Sequence, residues 1–261
     1  MSADPVMLLT DSLVADLARS NHQVGWALSV CVKAREAGGS FRSSLPPRAG
    51  QVVGPAADPV RAADEAARRA RSKTRRYCAA NGLNRLGTLT YRGDGCHDPR
   101  VLRQDVAAFF KALRALLSGT SFPYLWTAEW HKTHGLHVHF AVGRFIKHGL
   151  IVQAWPHGFI NIKLLGDLPV GSGAVAEARK AAGYLSKYVG KDFDAQRMRG
   201  LHRYEVAEGF QPAITPVWGR SREEAIYLAN QIMRATPSVF WSSDTKAGWQ
   251  GPPAVWMQWP G

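Results

Sequence analysis

Apolar and polar positions change period several times along this chain, and each change marks an element. Residues 122–130 (FPYLWTAEW) form an aromatic-rich run that reads as a strand. His131 to Gly135 is polar and ends in Gly, as a hairpin loop does, and Leu136 to Val142 reads as the returning strand. Pairing across that loop sets Trp130 opposite Leu136 and Glu129 opposite His137. Directly opposed residues share a side of the sheet, so Glu129, His137 and His139 should converge on one face. The other face of the second strand carries Leu136, Val138 and Phe140, a core face.

The same reading places a strand at Arg85 to Arg92. Asp98-Pro99 has the form of an N-cap followed by proline at the first helical position. The helix it opens should run to Ser118, with Val101, Leu102, Val106, Phe109, Leu113 and Leu117 near one face and Gly119 ending it. A strand is expected from Gly158 to Leu165. The Ala-rich segment 173–190 lacks proline and stops at Gly190, which predicts a helix. Further helices are expected over Pro59 to Tyr77 and Ser221 to Ala235. Met1 to about Arg35 is read as helical, and Gly38 to Pro59, rich in Gly, Pro, Ser and Ala, as a linker. Trp241, Trp249, Trp256 and Trp259 make an aromatic tail whose simpler role is packing and whose other role is stacking on single-stranded bases.

The central order β-α-β-β-β-α predicts an α+β fold, an antiparallel sheet with helices packed on it. The expected division is an extension with linker and basic helix over 1–77, a central domain over 78–200, and a helix with a Trp-rich extension over 201–261, packed on the central domain. No internal repeat is visible.

Two motifs carry chemistry. In Gly135-Leu136-His137-Val138-His139-Phe140, positions i and i+2 of a strand put both imidazoles on one side. With Glu129 they form a donor set suited to Mn²⁺, Zn²⁺ or Co²⁺, and to Mg²⁺ when phosphate oxygens complete the shell. The plain alternative is a pair of solvent-facing strand residues. His131 and His134 fall in the loop and are read as facing DNA or incidental. In Tyr184-Leu185-Ser186-Lys187-Tyr188-Val189-Gly190-Lys191 two tyrosines stand four residues apart, one above the other on a helix. The plain alternative makes them core residues with wet hydroxyls. As nucleophiles they need a nearby cation or metal, because a phenol ionises only near pH 10. Lys187 and Lys191 are placed to assist or to hold phosphates.

The chain has 261 residues and a formal net charge of +13, which suits a polyanionic partner and salt-sensitive binding. Arg68, Arg69, Arg71, Lys73, Arg75 and Arg76 crowd the end of the 59–77 helix as a candidate grip on DNA backbone, or as a solvated face. Three scattered cysteines, Cys31, Cys78 and Cys96, form no disulfide framework and fit a reducing cytoplasm. No signal peptide or membrane-spanning run is expected. No phosphate-binding Gly-x-x-x-x-Gly-Lys-Ser/Thr loop occurs, so no fused helicase is expected.

These residues resemble the HUH endonucleases, specifically the two-tyrosine rolling-circle replication initiators of plasmids and single-stranded DNA phages. Leu86-Gly87-Thr88-Leu89-Thr90-Tyr91 is similar to the first family motif, with Gly87 departing from the usual apolar residue, so that a close approach or bulge is expected. His137-Val138-His139 matches the second motif, with Glu129 where many members carry a third metal ligand. Tyr184 to Lys191 matches the two-tyrosine catalytic helix. The likeness spans about 84–191, and Arg203 to Phe210 adds a less specific one. The resemblance implies an RRM-like or ferredoxin-like sheet, with the metal on it and the tyrosines on a covering helix. It also implies Mg²⁺ or Mn²⁺, nicking of single-stranded or melted origin DNA, a 5′-phosphotyrosine with a free 3′-hydroxyl, and reliance on a host helicase and polymerase. The alternatives are a two-tyrosine transposase or mobilisation relaxase with the same chemistry, a non-catalytic RRM-like nucleic-acid-binding protein, and a metal-dependent small-molecule enzyme.

Overall fold

The computed structural model describes residues 24–43, 58–131, 134–164, 173–190, 202 and 204–260. They contain β1 (Gly25–Cys31), β2 (Glu36–Arg42), α1 (Pro59–Ala80), β3 (Arg85–Tyr91), α2 (Pro99–Leu116), β4 (Tyr124–His131), β5 (Gly135–Val142), α3 (His148–Ala154), β6 (Gly158–Leu164), α4 (Gly173–Gly190), β7 (Glu205–Val206), β8 (Thr215–Gly219), α5 (Arg222–Met233), β9 (Val239–Ser242) and β10 (Ala254–Gln258). The class is α+β, with antiparallel sheets and packed helices. The chain forms two compact units. One comprises the described residues of 56–211; the other joins the described residues before 56 to those from 212 onward.

The larger unit carries the sheet β6-β3-β5-β4-β7. Asp58 and Asp98 cap α1 and α2, their carboxylates accepting from the backbone N–H of Arg61 at 3.0 Å and of Arg100 at 2.7 Å. Each is followed by proline, which lacks the N–H that a first turn would leave unpaired. Leu102, Val106, Phe109, Phe110 and Leu113 form the buried stripe of α2. They pack with Leu136, Val138 and Phe140 of β5 into one core on one face of the sheet. Val101, expected on that stripe, is 44% exposed; the stripe turns through Phe110 instead, which stacks on Tyr124 with ring centroids 3.6 Å apart. On the opposite face, Tyr77 and Cys78 of α1 and Ala181, Ala182 and Leu185 of α4 cover Leu86, Leu125 and Ala141. The small residues of α4 allow α1 to approach it closely, and Leu185, fully buried, contributes about 1.5–3 kcal/mol by the usual transfer scale.

Gly87 is where β3 meets Phe140. A Cβ there would overlap the Phe140 ring, so the departure from an apolar residue reflects close approach; the pairing with β5 and β6 runs through it without a bulge. Gly135 has φ +70°, and a Cβ there would meet the Cys96 carbonyl. That close approach brings Leu136 N–H to donate to Cys96 O at 2.7 Å.

The smaller unit corrects the reading of the N-terminal region. Residues 24–35, expected within a helix, contain β1, and 38–42, expected as linker, belong to β2; the rest of both segments lies outside the described residues. The sheet order is β8-β1-β2-β10-β9. Trp26, Leu28, Val30, Val217, Val255 and Met257 bury against Ala225, Ala229 and Met233 of α5. Period-two alternation is present in these segments, but partners from the far end of the chain are what make them a sheet. The boundaries expected at 77 and 200 therefore do not coincide with these units: α1 packs within the larger one, and residues 24–43 pair with 215–219 and 254–258. Trp259, read as part of an aromatic tail, is fully buried in the smaller core. The helix α3 was not foreseen.

Candidate active site

The β4–β5 register sets Glu129 opposite His137 and Trp130 opposite Leu136, as the alternation requires. β3 sets Thr88 opposite His139. Glu129, His137, His139 and Thr88 therefore share the face on which α1 and α4 pack. His139 is buried at 6% exposure. Its Nε2 lies 2.9 Å from Glu129 Oε2, and its Nδ1 lies 3.2 Å from Thr88 Oγ1. Both ring nitrogens are thus held, which fixes the plane of the imidazole.

His137 stacks on His131, with ring centroids 4.7 Å apart and planes 2° from parallel. Its Nε2 is buried without a hydrogen-bond partner. Burial lowers the pKa of both His137 and His139. At His137 the neighbouring imidazoles of His131 and His139 add to the effect; at His139 the Glu129 carboxylate opposes it. Both rings are held toward the neutral form, which presents a lone pair.

The helix α4 brings the tyrosines to this face. Leu185 and Val189 are buried, so Tyr184 and Tyr188 stand at the edge of the same stripe, each half-buried. Tyr188 stacks on His139 with ring centroids 3.9 Å apart and planes 15° from parallel, and Tyr184 meets His139 edge-on at 6.3 Å. Tyr188 Oη donates to Tyr184 Oη at 2.9 Å. Burial raises the Tyr188 pKa, and the hydrogen bond and charge of Tyr184 and the charge of Glu129 add to it. A phenolate there needs a compensating positive charge. Lys187, exposed, places its Nζ 5.9 Å from the Tyr184 ring centroid. Lys191 lies outside the described residues.

As a metal site the donors are two neutral imidazoles and a carboxylate on one face, one imidazole nitrogen being buried and unsatisfied. That chemistry fits a divalent ion. Among the described residues, no three His, Cys, Asp or Glu side chains already stand as a metal-holding group; Glu129 and His139 hold each other instead, and a metal would exchange that hydrogen bond for coordination.

Arg68, Arg69, Arg71 and Lys73 are exposed on α1, opposite its buried Ala67, Ala70, Thr74 and Tyr77. Glu65 lies 4.0 Å from Arg68 and 3.7 Å from Arg69. Arg75 and Arg76 are half-buried, and Arg76 donates to Ser72 Oγ at 3.1 Å. The six cations thus divide into an outward row and a lateral pair. Thr88 was not singled out by role, although it was visible as the alternating Thr of Leu86–Tyr91. His131, read as a loop residue, is the last residue of β4 and shares the face of Glu129 two positions before it, which sets it beside His137.

The face that carries Glu129, His137 and His139 thus lies under a helix that carries Tyr184 and Tyr188. Residues 84–193 match the family model of the replication-associated protein ORF2. That stretch begins just before β3 and ends just beyond α4, so it contains every residue of the candidate centre. The similarity points to a role in replication, and rolling-circle replication is consistent with it. No curated protein and no solved structure matches the chain. Among the described residues no helix is long and apolar enough to cross a membrane.

Proposed function

We propose that the larger unit is the nicking and strand-joining domain of a rolling-circle replication initiator, acting on single-stranded or locally melted origin DNA. The observation that carries this reading is the Tyr188–His139 stack: it sets both candidate nucleophiles over the Glu129, His137 and His139 face. The similarity of residues 84–193 to replication-associated proteins supports it.

Glu129, His137 and His139 would hold the divalent ion, Mg²⁺ or Mn²⁺. When bound, it supplies Lewis-acid polarisation of the scissile phosphate. The rest falls to the protein. Thr88 orients His139. One tyrosine oxygen attacks phosphorus, a 5′-phosphotyrosine bond forms, and the 3′-oxygen leaves and is protonated. In a later round the second tyrosine, one helical turn away, attacks the regenerated origin phosphodiester, and the 3′-hydroxyl freed there attacks the first phosphotyrosine, closing the released strand and returning the first tyrosine as a phenol. Bond energy stays in the enzyme–DNA link, so this step needs no nucleotide hydrolysis. Lys187 offsets phenolate charge, and the outward row of α1 binds backbone phosphates. The free 3′-hydroxyl is a primer for a host polymerase, with a host helicase opening the duplex. This is cytoplasmic chemistry.

The test is incubation of the full chain with labelled single-stranded origin DNA and Mn²⁺, followed by a denaturing gel. A covalent protein–DNA adduct is expected. It should vanish on chelation and in the His137→Ala, His139→Ala double variant with the fold kept. Undiminished adduct in that variant would sink the metal assignment, and no adduct with any origin strand would sink the nuclease reading.

A further inference from the structure

The sheet of the smaller unit has one face closed by α5. Strand alternation puts a different set of residues on the other. Trp256 of β10 lies opposite Trp241 of β9 on one side and Gly38 of β2 on the other. Gly38 in turn faces Ser29 of β1. One row along, Trp218 of β8 faces Ala27, and Ala27 faces Ser40. Indoles thus stand at both sides of a floor of Gly, Ala and Ser. Trp249, in the connection between β9 and β10, packs edge-on against Trp241 with ring centroids 5.4 Å apart.

Three of these indoles rest against glycine. A Cβ on Gly25 would come within 2.8 Å of Trp218 Nε1, one on Gly38 within 3.1 Å of Trp256 Cδ1, and one on Gly251 within 3.0 Å of Trp249 Cζ2. Rings seated in this way are pre-organised, so little rotamer freedom is left to lose when a ligand stacks on them. All four indoles are half-buried, so each keeps some surface open to solvent. Cations stand beside them, and Asp244, the acid of the β9–β10 connection, is paired with Arg222. Arg42, exposed, follows Ser40 on the same side of β2, and Lys246 Nζ lies 5.9 Å from the Trp249 ring centroid. Glu36 is the carboxylate on this side of the strands and is buried at 1% exposure.

We propose that this face binds single-stranded DNA, bases stacking on Trp218, Trp241 and Trp256 and phosphates pairing with Arg42 and Lys246. Base–indole stacking is tolerant of sequence, because every base has a π-face. From β8 to β9 the sheet spans four strand spacings, roughly 19 Å. That is a width over which sheet platforms accept two or three bases. Duplex DNA cannot use it, since its bases are already stacked inside. The face belongs to the smaller unit, and the proposal holds whether or not the tyrosine centre cuts DNA.

The experiment is fluorescence anisotropy of labelled oligo-dT with the full chain in chelator, so that no cleavage occurs. Trp218→Leu, Trp241→Leu and Trp256→Leu should each weaken binding about fivefold to hundredfold, the range that stacking on one aromatic supports. The corresponding Phe variants should retain most of the affinity, and duplex of equal length should be little affected. Thermal melting verifies the fold of each variant. Trp249→Leu, outside the strands, and the Arg42→Gln, Lys246→Gln pair replace any variant that does not fold, and they too should weaken oligo-dT binding. Folded Leu variants that bind oligo-dT like the parent would overturn the proposal. So would equal losses for single strand and duplex, which would mean a charge patch only. Adduct formation at an origin strand with Mn²⁺ is read separately, so failure of one reading leaves the other standing.

Discussion

Tyr188 lies face to face on His139, the two rings 3.9 Å apart between centroids. This stack ties the α4 helix to the β5 strand at the candidate centre. It also separates the two tyrosines: Tyr188 is bound to a proposed metal ligand through its ring, whereas Tyr184 meets His139 only edge-on and accepts the hydrogen bond from Tyr188.

If both are nucleophiles, Tyr184→Phe and Tyr188→Phe should each leave some covalent adduct, and the double variant none. Phe keeps the ring and therefore the stack, so loss reports on the hydroxyl. The singles should be impaired in strand closure, which needs a second nucleophile while the first holds DNA. Mass-spectrometric mapping of the adduct checks this. Label confined to one tyrosine, with the other variant fully competent in closure, would reduce the site to one nucleophile.

Thr88 should act through His139. Thr88→Val removes the hydroxyl beside Nδ1 while keeping the shape, and metal affinity or cleavage should fall about 10- to 100-fold, as for other outer-shell partners of a metal-binding imidazole. Thr88→Ser should restore most of it. Mn²⁺ titration of cleavage, with melting as control, separates this from a change in folding.

Gly87→Ala should destabilise the larger unit by about 1–3 kcal/mol, the usual cost of overpacking a filled core, because its Cβ overlaps the buried Phe140 ring. Phe140→Leu in the same chain should recover part of the loss. Gly183→Ala is the contrast. It lies in α4 with nothing within 4 Å of the added Cβ, and helix propensity predicts a gain of about 0.5–1 kcal/mol. Urea midpoints measure both.

Changing Arg68, Arg69, Arg71 and Lys73 to Gln should lower affinity for single-stranded DNA. It should also flatten the salt dependence by about 0.7 in log–log slope for each phosphate that is no longer neutralised. The rate on bound substrate should hold. Arg76→Gln should instead cost stability, because its guanidinium is half-buried and bonded to Ser72. An unchanged slope in the fourfold variant would remove the outward row from the DNA interface.

Local rules went a long way in the larger unit. Asp98-Pro99 is itself a helix start, since the cap and the missing N–H act within one turn. The hairpin register follows from where the apolar side of β5 must point, and a slip by one residue would turn His137 and His139 into the α2 core and take Leu136 and Val138 out of it. Glu129 opposite His137 was legible for that reason. Gly25–Cys31 and Glu36–Arg42 differ from the sequence expectation because a strand has no local test as strong as a cap. Gly38 and Gly39 look like linker until they are paired, and β2 pairs with β1 on one side and on the other with β10, more than two hundred residues later.

The amino-acid sequence by itself determined the α+β class of the centre, the face shared by Glu129, His137 and His139, and the one-turn spacing of Tyr184 and Tyr188. All three depend on strand and helix period, which is local. Only the tertiary structure decided that Thr88 would hold His139, that Tyr188 rather than Tyr184 would stack on it, that His131 would cover His137, and that Trp218, Trp241 and Trp256 would share one face of a second sheet. Apart from His131 and His137, which meet within one hairpin, those relations join segments distant in sequence. They are settled by which apolar stripes bury together, and no period along the chain encodes that.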